Sequence, residues 1–435
     1  MKRAFLRWTS VLALIGIGTA LLGACRPTVP SGSVTQADVL KSEKSRLLPL
    51  SLDDAEVDAL VQGNSRFAFN LYQQLYSDEM NVFYSPYSIS LALAMTYAGA
   101  HGVTEQQMAK ALRFTLGQDA TPAAFNALDQ ALASRGEQPD VEEESRFRLN
   151  IANALWGQKG YAFQAAFLDK LAQNYGAGLR MVDYVQAPEA SRQTINQWVE
   201  EQTEEKIKDL LPSGSISSDT RLVLSNAIYF NAAWLWPFEE SATKDGSFQL
   251  LDGGEVVVPM MRQSERMAYA EGSRYQAVEL PYAGGEMSMV VLLPAGGSFE
   301  EFARSLDAQR LQTILEGMNH EQVMLSMPRF RYEASFRLKD ALVQLGMGHA
   351  FSDEADFSGM TGKPDLSISD VYHKAFVAVD EEGTEAAAAT AVVMQLTAAP
   401  GMPVEVTLDR PFVFLIRDVE TDAILFIGHV VNPAG

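Results

Sequence analysis

The chain is poor in the residues that most often bind metals or carry out redox chemistry. Its 435 residues include one cysteine, Cys25, and five histidines. A single thiol cannot form a disulfide within the chain, and so few thiol and imidazole groups leave little material for a zinc site. His101 and Glu105 are four residues apart, but no third ligand accompanies them. We therefore expect no metal site and no cofactor.

Positive charge is also scarce. The 34 Lys and Arg residues face 55 Asp and Glu residues, so that the formal net charge is −21. Nucleic acids are bound mainly through Lys and Arg on their phosphates. The charge balance therefore argues against nucleic acid as a partner, and equally against a heparin-like polyanion.

Short catalytic motifs are missing. The chain beyond residue 24 has no G-x-S-x-G elbow, no phosphate-binding Walker loop, no G-x-G-x-x-G and no H-E-x-x-H. A triad assembled from distant residues is recognised by geometry and not by spacing. An unrecognised hydrolase therefore stays open as a minor alternative, to be tested with ester and peptide substrates, and we expect that the protein is not an enzyme.

The N-terminus has the pattern of an export signal. An apolar run, Val11–Leu22, is too short to span a bilayer comfortably and follows three basic residues, Lys2, Arg3 and Arg7. The tetrapeptide that ends at Cys25, LGAC, resembles the bacterial lipobox, in which the cysteine is lipidated and becomes the first mature residue. An ordinary signal peptide with an incidental cysteine, or an uncleaved anchor, are the alternatives.

These features predict three regions. Residues 1–24 are expected to be a lipoprotein-type signal peptide, and residues 25–51, rich in Pro, Ser, Thr and Gly, a lipid anchor and flexible tether. Residues 52–435 are expected to form one domain. The protein would then be exported and held by lipidated Cys25 at a bacterial membrane, on the cell surface or in the periplasm, with release from the cell as a further alternative.

Hydrophobic periodicity predicts helices first and strands later. Apolar spacing from Val57 to Tyr76 indicates an amphipathic helix, and Ser85 before Pro86 is a typical helix start. A capping box at Thr104, with Gln107 at the matching position, predicts another helix start. We expect a further helix over Ala187–Asp209 and a central strand over Leu222–Phe230, followed mostly by strands from Phe248 onward. This order indicates an α+β domain with more than one sheet.

The segment Glu381–Ala398, EEGTEAAAATAVVMQLTA, is unusual because it consists largely of small residues between strand-like flanks. Alanine favours helix, so local propensity alone predicts a helix or a linker. Upstream, His373 lies in an apolar, strand-like run, VYHKAFVAV. We expect it to be a buried histidine, which then needs polar partners, and Asn226, Ser85 and Ser88 are the candidates.

Several long blocks resemble the serpin family and occur in the family's order. They are NVFYSPYSISLALAMTYAGAHGVTEQQM, LSNAIYFNAAWLWPF, LKDALVQLGMGHAFSDEADFSGM, HKAFVAVDEEGTEAAAAT and DRPFVFLIRDVETDAILFIGHVVNP. The resemblance extends from about Ala59 to Pro433. It implies a serpin fold with a large central β-sheet, two smaller sheets, about nine helices and an exposed reactive loop.

The family resemblance also implies a mechanism. Inhibitory serpins are suicide substrates: a serine protease cleaves the reactive loop, and the loop inserts as a new strand in the central sheet before the acyl-enzyme is hydrolysed. Such loop insertion is a known mode of strand addition. The expected partner is a serine protease in a covalent complex with a monomeric inhibitor. A non-inhibitory serpin that acts as a binding or scaffold protein is the alternative, although the hinge contains no proline.

Matching the blocks position by position implies three groups of site residues. The hinge comprises Glu381, Gly383, Thr384, Glu385, Ala386, Ala387, Ala388, Ala389 and Thr390. The shutter, where the central strands part, comprises Ser85, Ser88, Asn226 and His373. The breach, at the top of the sheet, comprises Trp234, Arg329 and Glu381, and Arg329 is expected to pair with Glu381.

The reactive bond is expected about fourteen residues after the hinge glycine, at Thr397–Ala398, with Leu396–Thr397 and Met394–Gln395 as alternatives. No Lys, Arg, Phe, Tyr or Trp lies between Thr384 and Asp409. A trypsin-like pocket requires a basic residue, so the resemblance together with this composition favours an elastase-like or subtilisin-like target.

Overall fold

The computed structural model describes residues 37–51, 55–135, 147–384 and 402–435. The expected signal peptide and Cys25 lie outside these residues. Within them the chain forms ten α-helices, which we number in chain order: α1 Ala55–Leu75, α2 Pro86–Tyr97, α3 Gly102–Leu112, α4 Gly117–Ser134, α5 Ala165–Tyr175, α6 Pro188–Gln202, α7 Phe299–Arg304, α8 Ala308–Glu316, α9 Lys339–Leu342 and α10 Ser358–Thr361. In this part of the chain, no helix combines the length and the apolar character needed to cross a membrane.

The same residues form sixteen strands in two sheets. In chain order they are β1 Asp38–Leu40, β2 Val82–Tyr84, β3 Arg148–Gln158, β4 Leu179–Val182, β5 Leu222–Ala233, β6 Lys244–Gln249, β7 Glu255–Gly272, β8 Tyr275–Pro281, β9 Met287–Pro294, β10 Asn319–Pro328, β11 Phe330–Arg337, β12 Asp370–Val379, β13 Gly383–Thr384, β14 Val404–Thr407, β15 Phe412–Asp418 and β16 Ile424–Val430. The α+β class expected from the sequence is confirmed.

The first sheet has seven strands in the order β1-β4-β3-β5-β13-β12-β11. All twelve residues of β5 are buried, which requires cover on both faces of the sheet. On one face, α2 packs against β3 and β5 as part of the main hydrophobic core. On the other, α6 and the chain after it enclose a second, smaller core with residues from β3, β5 and β12.

The second sheet has nine strands, in the order β14-β10-β7-β8-β9-β15-β16-β2, with β6 paired to β7. The two smaller sheets implied by the resemblance are therefore one hydrogen-bonded sheet. They are continuous because the eighteen residues of β7 pair with β6 and β10 and, toward the end of the strand, with β8. The main core lies between this sheet, the first sheet and α1.

Helix starts and ends depart from the sequence predictions in two places. At α2 the prediction is confirmed, since the side chain of Ser85 accepts a hydrogen bond from the amide of Ser88 and Pro86 is the first helical residue. The capping box at Thr104 is wrong: α3 already begins at Gly102, and the hydroxyl of Thr104 accepts from the amide of Asp356 at 2.9 Å. The helix α6 ends at Gln202 and does not continue to Asp209.

The expectation of a flexible tether over residues 25–51 is wrong for its described part. The strand β1 pairs antiparallel with β4 and is itself the edge of the seven-stranded sheet. Farther along, the guanidinium of Arg46 donates to Asn126 Oδ1 at 2.7 Å and to Asp129 Oδ2 at 2.6 Å, both on α4. The amide of Leu47 donates to the carbonyl of Gln173 on α5 at 2.8 Å. We call residues 38–47 the strap, because they are fastened to a strand and to two helices.

Composition predicts a flexible segment here because the residues that hold the strap lie far along the chain. Gly178 lies directly before β4, and a Cβ atom there would come within 2.8 Å of the carbonyl oxygen of Leu40. The missing side chain therefore lets the strap approach the body closely. Nothing in the sequence of residues 25–51 indicates that the body leaves room for this close approach.

Candidate functional site

The central feature of the seven-stranded sheet is the line along which β5 and β12 meet, which we call the seam. These strands are parallel and pair directly over seven residues, from Asp370 opposite Val223 to Phe376 opposite Tyr229. Beyond this point they diverge toward the top of the sheet. A parallel pair joined along a single ladder, with a gap at one end, is a place where a further strand can enter antiparallel to both neighbours.

The strand β13 already occupies the top of this gap. Thr384 lies opposite Val379 of β12 and Ala232 of β5, and Gly383 lies opposite Ala233. A Cβ atom on Gly383 would come within 2.2 Å of the carbonyl oxygen of Ala232, so only glycine fits there. Gly383 and Thr384, the third and fourth residues of the small-residue segment, are therefore a strand, and not the helix or linker that local propensity predicts.

Thr384 has its side chain in the main core. It is 1% exposed, and its hydroxyl lies 2.8 Å from the phenol oxygen of Tyr282. Two amides in the turn before it, those of Glu382 and Gly383, donate to the carboxylate of Asp380. The turn and the slot between the strands thus hold the beginning of the loop in a fixed position.

The expected breach residues come together beside this turn. Arg329 Nε lies 2.5 Å from Glu381 Oε2, and the hydroxyl of Thr243 donates to the other oxygen of the same carboxylate. The indole of Trp234 donates to the carbonyl of Asp380 at 3.0 Å. Its ring stacks on Tyr282, with 4.6 Å between the ring centroids. Thr243 and Tyr282 belong to the same group, and sequence reasoning missed both.

Glu381 is held in its charged form. Its side chain is 3% exposed, and burial alone would raise the pKa of the carboxyl group. The hydrogen bonds from Arg329 and Thr243 outweigh burial and lower the pKa of Glu381 below its ordinary value. The backbone of Glu381 is also held in place, because Phe238 donates its amide to the carbonyl of Glu381 at 2.8 Å.

The expected shutter residues form one buried cluster across the seam. His373 on β12 lies directly opposite Asn226 on β5, and their side chains are hydrogen-bonded. The amide of Asn226 donates to the hydroxyl of Ser88 at 2.8 Å, and the backbone amide of Ser85 donates to His373 Nε2 at 3.2 Å. The fifth member, Asn153 on β3, was not predicted. It bonds to both Asn226 and Ser88.

The hydrogen bonds assign the proton on His373. Because Nε2 accepts from the amide of Ser85, the ring proton is on Nδ1 and is donated to Asn226 Oδ1. Burial lowers the pKa of His373 to about 3, so that the imidazole is neutral at physiological pH. The cluster is therefore a neutral polar network that connects both sides of the seam to the start of α2.

Several predicted residues lie outside the described part of the chain. They are the hinge residues Glu385, Ala386, Ala387, Ala388, Ala389 and Thr390, and the reactive-bond candidates Met394, Leu396, Thr397 and Ala398. Among the described residues, no group of three or more His, Cys, Asp or Glu side chains is arranged to hold a metal ion.

Comparison with known proteins adds independent information. The family model described as "Serpin (serine protease inhibitor)" matches residues 62–433. An uncharacterized serpin-like protein of Thermococcus kodakarensis is 38% identical, over 100% of this chain and 99% of its own length. The leukocyte elastase inhibitor of Sus scrofa is 40% identical, over 87% of this chain and 100% of its own length.

A solved structure shares the fold. The thermophilic serpin tengpin in its native state superimposes with a TM-score of 0.81 at 30% sequence identity, covering 92% of this chain and 100% of the tengpin chain.

Proposed function

Because the chain belongs to the serpin family, we propose that it inhibits serine proteases as a suicide substrate, with β13 as the starting point for insertion of the cleaved loop. The observation that carries this proposal is the slot occupied by Gly383 and Thr384, which already pair with both strands that a complete inserted strand would contact. An inserting loop would need only to extend β13 along the seam.

The register of β13 predicts where the following residues would go. In an antiparallel ladder, each step forward in the loop is a step backward in both neighbours. Continuing from Thr384 opposite Val379 and Ala232, Thr390 would arrive opposite His373 and Asn226. His373 and Asn226 already lie opposite each other in the closed seam. The register extrapolated along β12 therefore agrees with the register extrapolated along β5.

The same register explains the small residues. Since side chains alternate between the two faces of a strand, those of Ala386, Ala388 and Thr390 would share the inward face of Thr384. Small side chains there would enter the packed core with little rearrangement, and the hydroxyl of Thr390 would meet the polar shutter. A bulky or charged side chain at these positions would oppose insertion.

Insertion would move the cleavage point far from its starting position. About fourteen residues at ~3.3 Å each span roughly 45 Å. A protease that is still covalently attached would be carried along the sheet, and misplacement of catalytic groups by ~1 Å can cost about a hundredfold in rate. Hydrolysis of the acyl-enzyme would then stall.

We propose an elastase-like or subtilisin-like target. Thr397–Ala398, Leu396–Thr397 and Met394–Gln395 all place a small or medium-sized uncharged residue before the cleaved bond. The name of the porcine relative, a leukocyte elastase inhibitor, is consistent with such a preference.

The first prediction concerns the covalent complex. Incubation with pancreatic elastase or subtilisin should give a protease–inhibitor band that survives boiling in detergent, and mass spectrometry should locate the linkage within residues 394–398. Thr384→Arg should be cleaved without forming this complex, because the arginine cannot enter the core beside Tyr282.

Thr407→Arg, at an exposed position on β14, is the matched control and should form the complex normally. Quantitative cleavage of the unmodified protein with full recovery of protease activity would contradict the proposal. That result would favour the non-inhibitory alternative, a binding or scaffold protein.

A further inference from the structure

The helix α6 and the chain that follows it form one continuous cover over the seam. The side chain of Asn196 on α6 exchanges two hydrogen bonds with the backbone of Leu211, at 2.8 and 2.9 Å. Arg192 donates to the carbonyl of Leu211 at 2.7 Å. We call residues 188–221 the α6 cover, because these contacts join the helix to the segment that follows it.

One end of the α6 cover is attached to β12. Lys374 Nζ donates to the carbonyl of Lys208 at 2.8 Å, and the same ammonium pairs with Glu333 on β11. The aromatic side chains of Tyr372 and Phe376, also on β12, belong to the smaller core beneath the cover. These contacts lie on the β12 side of the seam.

The other end is attached to β3 and β4. The guanidinium of Arg180 on β4 lies 4.3 Å from the ring centroid of Trp198 on α6 and 5.5 Å from that of Trp156 on β3. The two indole rings are 5.5 Å apart and nearly perpendicular, at 74°. Trp156 is itself fixed by a 2.8 Å hydrogen bond from its indole nitrogen to the hydroxyl of Ser225. These contacts lie on the opposite side of the seam.

Arg180 differs from the other arginines of the described chain in that its guanidinium lies over two aromatic rings. It is partly buried, and burial lowers the pKa of its guanidinium. No carboxylate pairs with it among the described residues. Two aromatic faces therefore provide the close stabilising contacts of this charge, and such contacts are stronger where the cation has lost part of its water.

We propose that Arg180 controls how fast the seam opens, by holding the α6 cover on β3 and β4 through Trp198. This inference rests on the proposed loop insertion. A new strand between β5 and β12 would widen the sheet by ~4.8 Å. The cover is attached on both sides of the seam, so contacts at one end must break or stretch before the strands separate. Displacing Trp198 by that amount would take its ring beyond the ~6 Å range of the cation–π contact.

The test measures opening of the seam without any protease. A labelled synthetic peptide with the sequence of residues 386–397 is incubated with the full, uncleaved chain, and its stable incorporation is followed over time. We expect Arg180→Met to incorporate the peptide about ten-fold faster than the unmodified protein, the change that a lost cation–π contact of ordinary strength would produce. Arg180→Lys, which keeps a cation but presents no planar face, should be intermediate.

Arg274→Met is the matched control, because it removes an arginine with an exposed partner, Glu301, away from the seam. It should leave the rate unchanged. Trp198→Leu should accelerate incorporation as Arg180→Met does, and the double variant should be no faster than the faster single variant, since both substitutions remove the same contact. Circular dichroism spectra confirm that each variant is folded.

Two results would overturn the inference, and they are distinguishable. Incorporation at the same rate in Arg180→Met and the unmodified protein, or multiplied effects in the double variant, would remove the role of Arg180 and leave the proposed function intact. Failure of every variant and of the unmodified protein to incorporate the peptide would overturn the proposed insertion and this inference with it.

Discussion

His373 shows how one buried residue can affect the whole sheet. Its ring connects β12, β5 and the start of α2 while remaining uncharged. A second buried histidine, His429 on β16, contacts the phenol of Tyr72, and burial lowers its pKa to about 4. Both imidazoles lose their native environment on unfolding and regain the ordinary pKa near 6.5. Protons therefore bind the unfolded chain more readily than the folded one.

The depressed pKa values of these two histidines predict that the protein loses stability as the pH falls. A histidine with a depressed folded-state pKa makes its full contribution to stability above its unfolded pKa, and loses it as the pH falls from about 6.5 toward the folded value. Between pH 6.5 and 5, where carboxylates of ordinary pKa remain ionised, His373 and His429 together should lower the free energy of unfolding by about 3 kcal/mol. Urea titrations across this range measure the loss. His320→Gln, on the exposed start of β10, should leave the profile unchanged, and a flat profile in the unmodified protein would refute the buried neutral state.

At the scale of elements, the strap is the part of the fold that composition did not predict. Its sequence suggests an unstructured linker, yet its attachments include three residue pairs with β4 and a half-buried ion pair between Arg46 and Asp129. Pairing with β1 also covers the backbone of β4, which would otherwise be an open edge of the sheet. The strap therefore protects one side of the sheet, opposite the edge strand β11.

This attachment predicts unequal effects for two neighbouring cations. Arg46→Met removes hydrogen bonds to Asn126 and Asp129 that are partly shielded from water, and should destabilise the strap locally by about 1–2 kcal/mol. Hydrogen exchange at residues 38–47 should then be roughly 5- to 30-fold faster. Lys44→Met removes a more exposed pair with Asp169 and should change the exchange rates much less. Equal exchange in Arg46→Met and the unmodified protein would mean that the strap is held by its backbone alone.

At the scale of the whole molecule, the sequence predicted class and chemistry better than long-range contacts. Local signals located α2, because Ser85 and Pro86 are adjacent in the chain, and the family blocks named residues that the fold brings together at the breach and the shutter. The strap, the position of Asn153 and the two-residue strand β13 depend on pairings between segments 70 or more residues apart. Such pairings are set by register and packing, which local periodicity does not contain.

The last prediction concerns the balance between two arrangements of the same chain. In the described structure the loop contributes only two residues to the seven-stranded sheet, and β5 and β12 close the rest of the seam. Extending β13 by about ten residues would replace the seven-residue ladder between β5 and β12 with two longer ladders, one to each neighbour. At ~0.5–1.5 kcal/mol for each net additional hydrogen bond, the gain is on the order of 10 kcal/mol. The uncut loop is tethered at β14 and cannot reach this state without large rearrangement.

Cleavage near Leu396–Thr397 removes that tether, and calorimetry should then show the melting temperature rising by roughly 20 °C, since each kcal/mol corresponds to about 2 °C in a large domain. Thr384→Arg, cleaved at the same bond, should melt close to the uncut protein because its loop cannot extend past Tyr282. A cleaved, unmodified protein with an unchanged melting temperature would mean that the small residues after Gly383 do not enter the sheet, and that the free energy for trapping a protease would have to come from elsewhere.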